Sequence, residues 1–153
     1  MKSEHITKGE RKMEFVMNKK ALLIILAALI RCEPCPAITS AEFDRLIPAL
    51  IQVESGGNDR AEGDYRNGKA QAVGCLQIWT VMVDDVNRIT GKAYTLKDRQ
   101  NRQRSVEMAR AYLMHYAKAG TIEQAARKWN GGPAGDKKAA TVKYWEKVKK
   151  EMK

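Results

Sequence analysis

The chain has 153 residues, 44% of them hydrophobic, with 28 Lys and Arg against 18 Asp and Glu and a formal net charge of +10. Its length suits one domain with one core rather than several. The charge favours anionic polymers, yet the basic residues are scattered and carry no zinc-finger or RNA-binding signature, so nucleic acid is not an expected partner.

The first third differs from the rest. Lys19-Lys20 precede an uninterrupted apolar run over residues 21–30, followed by Arg31-Cys32-Glu33-Pro34-Cys35-Pro36-Ala37. A basic stretch, a short apolar run and a small residue predict a Sec-type signal peptide cleaved after Ala37. The run is shorter than the roughly 20 apolar residues that a membrane span needs. Retained, it would tether the domain transiently to a membrane. Met17, which opens Met-Asn-Lys-Lys, or Met13 reads as the true start. The expected organisation is therefore an extension and signal peptide over residues 1–37 and a secreted or periplasmic domain over 38–153. That domain carries 21 Lys and Arg against 14 Asp and Glu, a net of +7. Cys32 and Cys35 would leave with the peptide; their spacing resembles a redox or zinc pair, but no partner motif follows. Cys75 is then the last cysteine, so the fold rests on its core without an internal disulfide.

In the exported part, Thr39 and Glu42 have capping-box spacing and predict a helix running to about Ser55, where Gly56-Gly57 stops it. Pro48 lies inside, and the clash of its ring with the Asp44 carbonyl predicts a kink or short break. Asn67-Gly68 predicts a tight turn, but the flanks alternate poorly, so a small irregular hairpin is expected rather than a sheet. Met82, Val86 and Ile89 give a short helical face ending at Gly91. A long helix follows from about Arg99 to Ala119, with Val106, Ala109, Leu113 and Tyr116 as its buried side and Gly120 as its stop. Thr121 and Gln124 form a second capping box, opening a helix through Ile122, Ala125, Ala126 and Trp129 that stops at Asn130-Gly131-Gly132-Pro133. A last helix opens near Asp136, with Val142, Trp145, Val148 and Met152 as apolar positions. The class is mainly α, one compact helical domain with a minor hairpin.

Glu54 carries the most information. Phe43, Leu46, Ile47, Leu50, Ile51 and Glu54 share one helical face, which puts a carboxyl at the core side of a helix end. Burial disfavours the charged form, so its pKa should rise and leave it able to hold a proton near neutrality. Glycoside cleavage needs a general acid of this kind.

Four pieces in order extend the pattern. They are Val53-Glu54-Ser55-Gly56-Gly57-Asn58, then Ala72-Val73-Gly74-Cys75-Leu76-Gln77-Ile78, then Lys128-Trp129-Asn130-Gly131-Gly132-Pro133, and finally Thr141, Tyr144 and Val148 on the closing helix. The set resembles the soluble lytic transglycosylase domain of the lysozyme-like superfamily, related to goose-type lysozyme, over nearly all of the exported part. The resemblance implies an α+β lysozyme-like fold and an enzyme that cleaves peptidoglycan between N-acetylmuramic acid and N-acetylglucosamine. It implies Glu54 as the catalytic acid and Ser55 as the residue fixing the helix end. Gly74, Leu76, Gln77 and Ile78 match a segment lining the glycan cleft, Asn130 matches an asparagine of the Ala-Tyr-Asn-Ala-Gly segment, and Tyr144 matches a tyrosine that approaches the acid, with Thr141 beside it. Ser55, Gln77, Asn130 and Tyr144 are thus the substrate-binding candidates. Cys75 and Trp129 depart from the family's usual residues.

Other readings of these residues stay open. Gln77 can tie down loop backbone, Trp129 at helical spacing with Ile122 and Ala126 reads better as core than as a sugar platform, and Tyr144 can be core. His115 has no partner at metal-ligand spacing, so no metal and no cofactor is expected. The family pattern has no fixed second carboxylate and implies a lytic transglycosylase reaction. A hydrolytic lysozyme outcome would need one, with Asp64 the first candidate, Glu62 next and Asp59 third. The remaining alternatives are a non-catalytic wall-binding domain and a membrane-damaging cationic protein. A monomer acting on peptidoglycan glycan strands is the expected state.

Overall fold

The computed structural model describes residues 37–152, and its first element is the helix α1, Ser40–Ser55. Its start is a full capping box: the Glu42 amide donates to the Thr39 hydroxyl oxygen at 3.2 Å, and the Thr39 amide donates to the Glu42 carboxylate at 2.8 Å. Gly56 ends it in the left-handed conformation (φ 61°) and returns its N–H to the Gln52 carbonyl. Of the kink or short break expected at Pro48, no break occurs, and the helix runs through it. Pro48 and Asp44 both lie on the exposed side, so the carbonyl deprived of a donor meets solvent rather than a dry core.

Strands β1, Glu62–Arg66, and β2, Lys69–Val73, form an antiparallel hairpin with Arg66 opposite Lys69 and Glu62 opposite Val73. Asn67 and Gly68 make the turn with φ of 50° and 71°, as a two-residue hairpin loop requires. The hairpin is small and irregular as expected, with Asp64 inside β1 in left-handed backbone at φ 49°. It also gains a third strand, β3, Ile78–Trp79, pairing antiparallel with β2. The missing signal is buried Arg99, only 6% exposed. Its guanidinium donates to the carbonyls of Gln71 on β2, Ile78 on β3 and Leu96, at 2.9, 3.1 and 3.0 Å. The guanidinium, which makes no salt bridge among the described residues, is satisfied here by carbonyl dipoles and holds the small sheet together.

Helix α2, Thr80–Thr90, ends at Gly91 as expected and buries Val83 and Val86, with Met82 and Ile89 half-buried. The next helix begins later than its sequence indicates. Residues Leu96–Gln100 form a 3-10 turn, and helix α3 spans Arg102–Tyr116 with Asn101 as its N-cap. Thr95 and Asp98 make their own capping box, which consumes the helix-start signal one turn early. The buried side is Ser105, Met108, Ala109, Tyr112 and Leu113, while Val106 and Tyr116 are half-buried. The helix stops at Ala117, short of Gly120.

Helix α4, Ile122–Gly131, opens on the expected Thr121–Gln124 capping box. Two 3-10 turns, Gly135–Lys137 and Ala139–Thr141, occupy the stretch expected to begin the last helix, and α5 is Val142–Glu151. The delay is built on Thr141, whose buried hydroxyl lies 2.7 Å from the Gly135 carbonyl and 2.8 Å from that of Lys138. Helix α1 packs against α4 and α5, and Phe43, Leu46, Leu50, Leu76, Ile78, Met108, Leu113 and Val148 form the fully buried centre. The class is mainly α with one small sheet, as expected. The signal segment, Cys32 and Cys35, and most of the boundary at residue 37 lie outside the described residues. Among the described residues no helix is long and apolar enough to cross a membrane.

Candidate active site

Glu54 sits in the last turn of α1, and the end of that helix is tied down from two sides. Ser55 donates its hydroxyl to the Cys75 carbonyl at 2.8 Å, joining the helix end to the turn that leads into β3. Arg102, at the start of α3, donates to the Gly57 carbonyl and pairs with Asp59 at 3.0 Å. Gly74 lies in that turn with φ 86°, and a Cβ there would fall 1.7 Å from the Arg99 carbonyl oxygen. Backbone has to pass this close for Cys75 to reach Ser55, and only glycine allows it.

Glu54 opens onto a cleft of about 800 Å³. Asp64 contributes to it from β1, Gln77 from the turn before β3, Trp79 from β3, and Val81, Met82 and Asp85 from α2. Tyr112 comes from α3, and Trp129 through Pro133 from the end of α4. Asp64 and Gln77 hold left-handed backbone with φ of 49° and 46°. For residues with side chains that conformation costs on the order of 1 kcal/mol or more each, so local strain is concentrated at the cleft.

Two donors reach one oxygen of Glu54. The Tyr144 hydroxyl donates to Oε1 at 2.6 Å and the Trp129 indole N–H donates to it at 3.0 Å. Oε2 has no protein hydrogen bond among the described residues and is not sealed from solvent. Burial raises the Glu54 pKa, the bonds from Tyr144 and Trp129 pull the other way, and the charge on Asp64 adds to the rise; burial prevails. With Oε1 already an acceptor twice over, the proton that the raised pKa retains belongs on Oε2. Burial also pushes the Tyr144 hydroxyl up, together with the charge of Glu54, so Tyr144 stays a donor.

The sequence-derived residues fall in different places. Glu54, Gln77, Asn130 and Asp64 share the cleft lining. Tyr144 stands behind Glu54 rather than on the lining, and Ser55 spends its hydroxyl on backbone. Gln77 both lines the cleft and ties loop backbone, its amide donating to the carbonyls of Ala61 and Gly74 at 3.2 and 3.0 Å. Trp129 is core by burial, 6% exposed, yet also lines the cleft and contacts the acid. Of the other carboxylates, Asp59 is paired with Arg102 and Glu62 accepts from the Tyr65 hydroxyl, and neither lines the cleft. Asp64 does, with no hydrogen bond to its carboxylate among the described residues.

Asp85 is a cleft carboxylate that sequence reasoning missed. Burial alone would raise its pKa, but bonds from Tyr116 (2.8 Å) and Arg88 outweigh burial and hold it below the usual range. Its helix carries no motif around it, so sequence held no signal. Trp129, Tyr112 and Tyr116 run toward it as an aromatic row, with centroids 6.0 and 4.8 Å apart, and burial pushes the Tyr112 hydroxyl up to about 12. Burial likewise pushes the Cys75 thiol up to about 11, with Asp59 adding to it, so Cys75 is an inert packing residue. His115 is exposed and rests edge-on against Tyr116; among the described residues no cluster of metal-ligating side chains forms.

The transglycosylase SLT domain matches residues 39–152. A lysozyme of Ostrea edulis is 29% identical over 133 residues, covering 84% of this chain and 93% of its own length. No solved structure matches significantly.

Proposed function

The chain belongs to the transglycosylase SLT domain family of the lysozyme-like superfamily, and from that premise we propose that it is an exported lytic transglycosylase with Glu54 as its single acid and base. The observation that carries the proposal is the split role of the Glu54 carboxyl. Oε1 is held by two protein donors, and Oε2 is left to the cleft on a group whose pKa is raised. A general acid needs both: a proton retained near neutrality and a free oxygen aimed at substrate.

In the first step the Oε2 proton passes to the oxygen linking N-acetylmuramic acid to N-acetylglucosamine. The bond from that oxygen to C1 breaks, and the electron pair leaves with the oxygen. The muramoyl N-acetyl carbonyl oxygen bonds to C1 and carries the developing positive charge. Tyr144 and Trp129 now stabilise the Glu54 carboxylate that the transfer leaves behind. In the second step that carboxylate takes the proton of the sugar's own 6-hydroxyl, O6 bonds to C1, and the bond from C1 to the N-acetyl oxygen breaks. The product is a 1,6-anhydro end, and Glu54 has its proton back.

Asp64 supports the hydrolytic alternative, because it lines the same cleft with its carboxylate unpaired among the described residues. Acting on water, it would give reducing ends instead. Mass spectrometry of purified peptidoglycan digested by the protein separates the two. Anhydro-muropeptides are expected; reducing ends alone would make the protein a lysozyme. The apolar run at residues 21–30 supports export to the wall, and fractionation of expressing cells with N-terminal sequencing tests it.

A further inference from the structure

The cleft lining contains three carboxyl groups, Glu54, Asp64 and Asp85, and no lysine or arginine. Such a lining offers an anionic ligand no cation of its own, yet peptidoglycan strands carry carboxylates on their lactyl-linked peptide stems. A carboxylate passing the rim would be held best by a cation whose donors are free. Arg88 is spent on Asp85 and Lys128 on Asp136. Arg66 differs from both: its guanidinium lies over the Trp79 ring, 5.2 Å from the centroid, and Trp79 itself lines the cleft. Among the described residues Arg66 makes no salt bridge and no side-chain hydrogen bond. Stacking orders its planar fork without using its N–H donors. Trp79, Val81 and Met82 supply an apolar surface beside it, with Val81 67% exposed. An unpaired fork beside an apolar strip fits a ligand that is carboxylate at one point and aliphatic next to it.

We infer that Arg66, stacked on Trp79, selects glycan strands that bear peptide-stem carboxylates over carboxylate-free glycan. This rests on the glycan-cleaving reading of the same cleft and names the substrate feature it recognises.

The test compares wild type with Arg66→Gln on purified sacculi, native or with their carboxyl groups converted to amides. Arg66→Gln is expected to raise KM on native sacculi about tenfold, the worth of a charge-assisted pair, with kcat little changed. On amidated sacculi the variant and wild type should be equal, since the partner is gone. Arg66→Lys should recover part of the loss, keeping charge but not the fork. Equal losses on native and amidated sacculi, or no loss on either, would overturn the inference. Co-sedimentation of Glu54→Gln and of Glu54→Gln with Arg66→Gln on the same two materials reads binding without turnover. Carboxylate-dependent sedimentation that needs Arg66 upholds the selection even if Glu54→Gln still cleaves, an outcome that sinks only the catalytic reading. Sedimentation indifferent to Arg66, with cleavage still dependent on Glu54, sinks only the selection.

Discussion

The Tyr144 hydroxyl donates to Glu54 Oε1 across 2.6 Å, joining residues 90 positions apart in the chain. The bond favours the ionised carboxylate, while burial favours the protonated one. Removing the hydroxyl should therefore raise the proton affinity of Glu54 further. Tyr144→Phe is expected to move the alkaline limb of the rate profile to higher pH and to lower kcat about tenfold, because the carboxylate left after proton transfer loses a donor. A pH series of muropeptide release checks both; an unmoved limb would separate Tyr144 from the acid's titration.

Glu54→Gln keeps an oxygen to accept from Tyr144 and Trp129 and has no proton to give. Cleavage should fall by about 10²–10⁴, or more because the group acts twice, with the circular dichroism spectrum unchanged. Turbidity clearing of sacculi suspensions is the direct readout.

The same variant has a signature in stability. A glutamate whose folded pKa is raised stabilises the fold fully below its ordinary value of 4.5 and loses that contribution as pH rises through the folded pKa. Wild type should thus lose stability relative to Glu54→Gln as pH rises across that window. Thermal melts from pH 4 to 8 measure the difference; wild type gaining stability relative to the variant toward neutrality would contradict a raised Glu54.

Asp64 contributes its charge to that rise. Asp64→Asn should move the alkaline limb of the rate profile down, the opposite direction to Tyr144→Phe. Anhydro products should persist in the variant. If wild type yields reducing ends that Asp64→Asn abolishes, Asp64 activates water and the hydrolytic alternative holds.

Gly74→Ala tests the close backbone passage beside the cleft. The new Cβ would overlap the Arg99 carbonyl and would also be held at positive φ, so a loss of about 3 kcal/mol or more is expected. Gly56→Ala is the control: its φ is also positive, but nothing lies within 4 Å of the added Cβ, and it should cost only about 1–2 kcal/mol. Chemical denaturation of the two variants compares them.

Local rules made part of this molecule legible. The capping boxes at Thr39 and Thr121, the stops at Gly56 and Gly91 and the turn at Asn67-Gly68 depend on residues close in sequence, and all appear where local chemistry puts them. The apolar stripe ending in Glu54 was readable for the same reason. Arg99 was not, because two of its three carbonyl partners, Gln71 and Ile78, lie in other segments and an arginine at a helix start looks solvated. The start of α3 was misread because Thr95–Asp98 and Asn101 offer two competing starts a few residues apart. Trp129 was read as core from its apolar spacing, and its one polar atom, the indole N–H, carries the contact to Glu54. The third strand was hidden because β3 is only two residues long and depends on Arg99 rather than on any pattern of its own.

The carboxyl of Glu54 belongs to the first helix of the described fold, and its two donors belong to the last two. As the chain emerges from a ribosome or a translocation channel, residue 54 arrives early and remains an ordinary solvated glutamate. Its proton affinity is complete once burial has raised it and the closing helix has brought Tyr144 to it. A chain cut short of residue 142 would carry the acid without its setting. The fold thereby delays the chemistry to the moment the molecule is whole, which suits a protein whose substrate would be the wall of a cell.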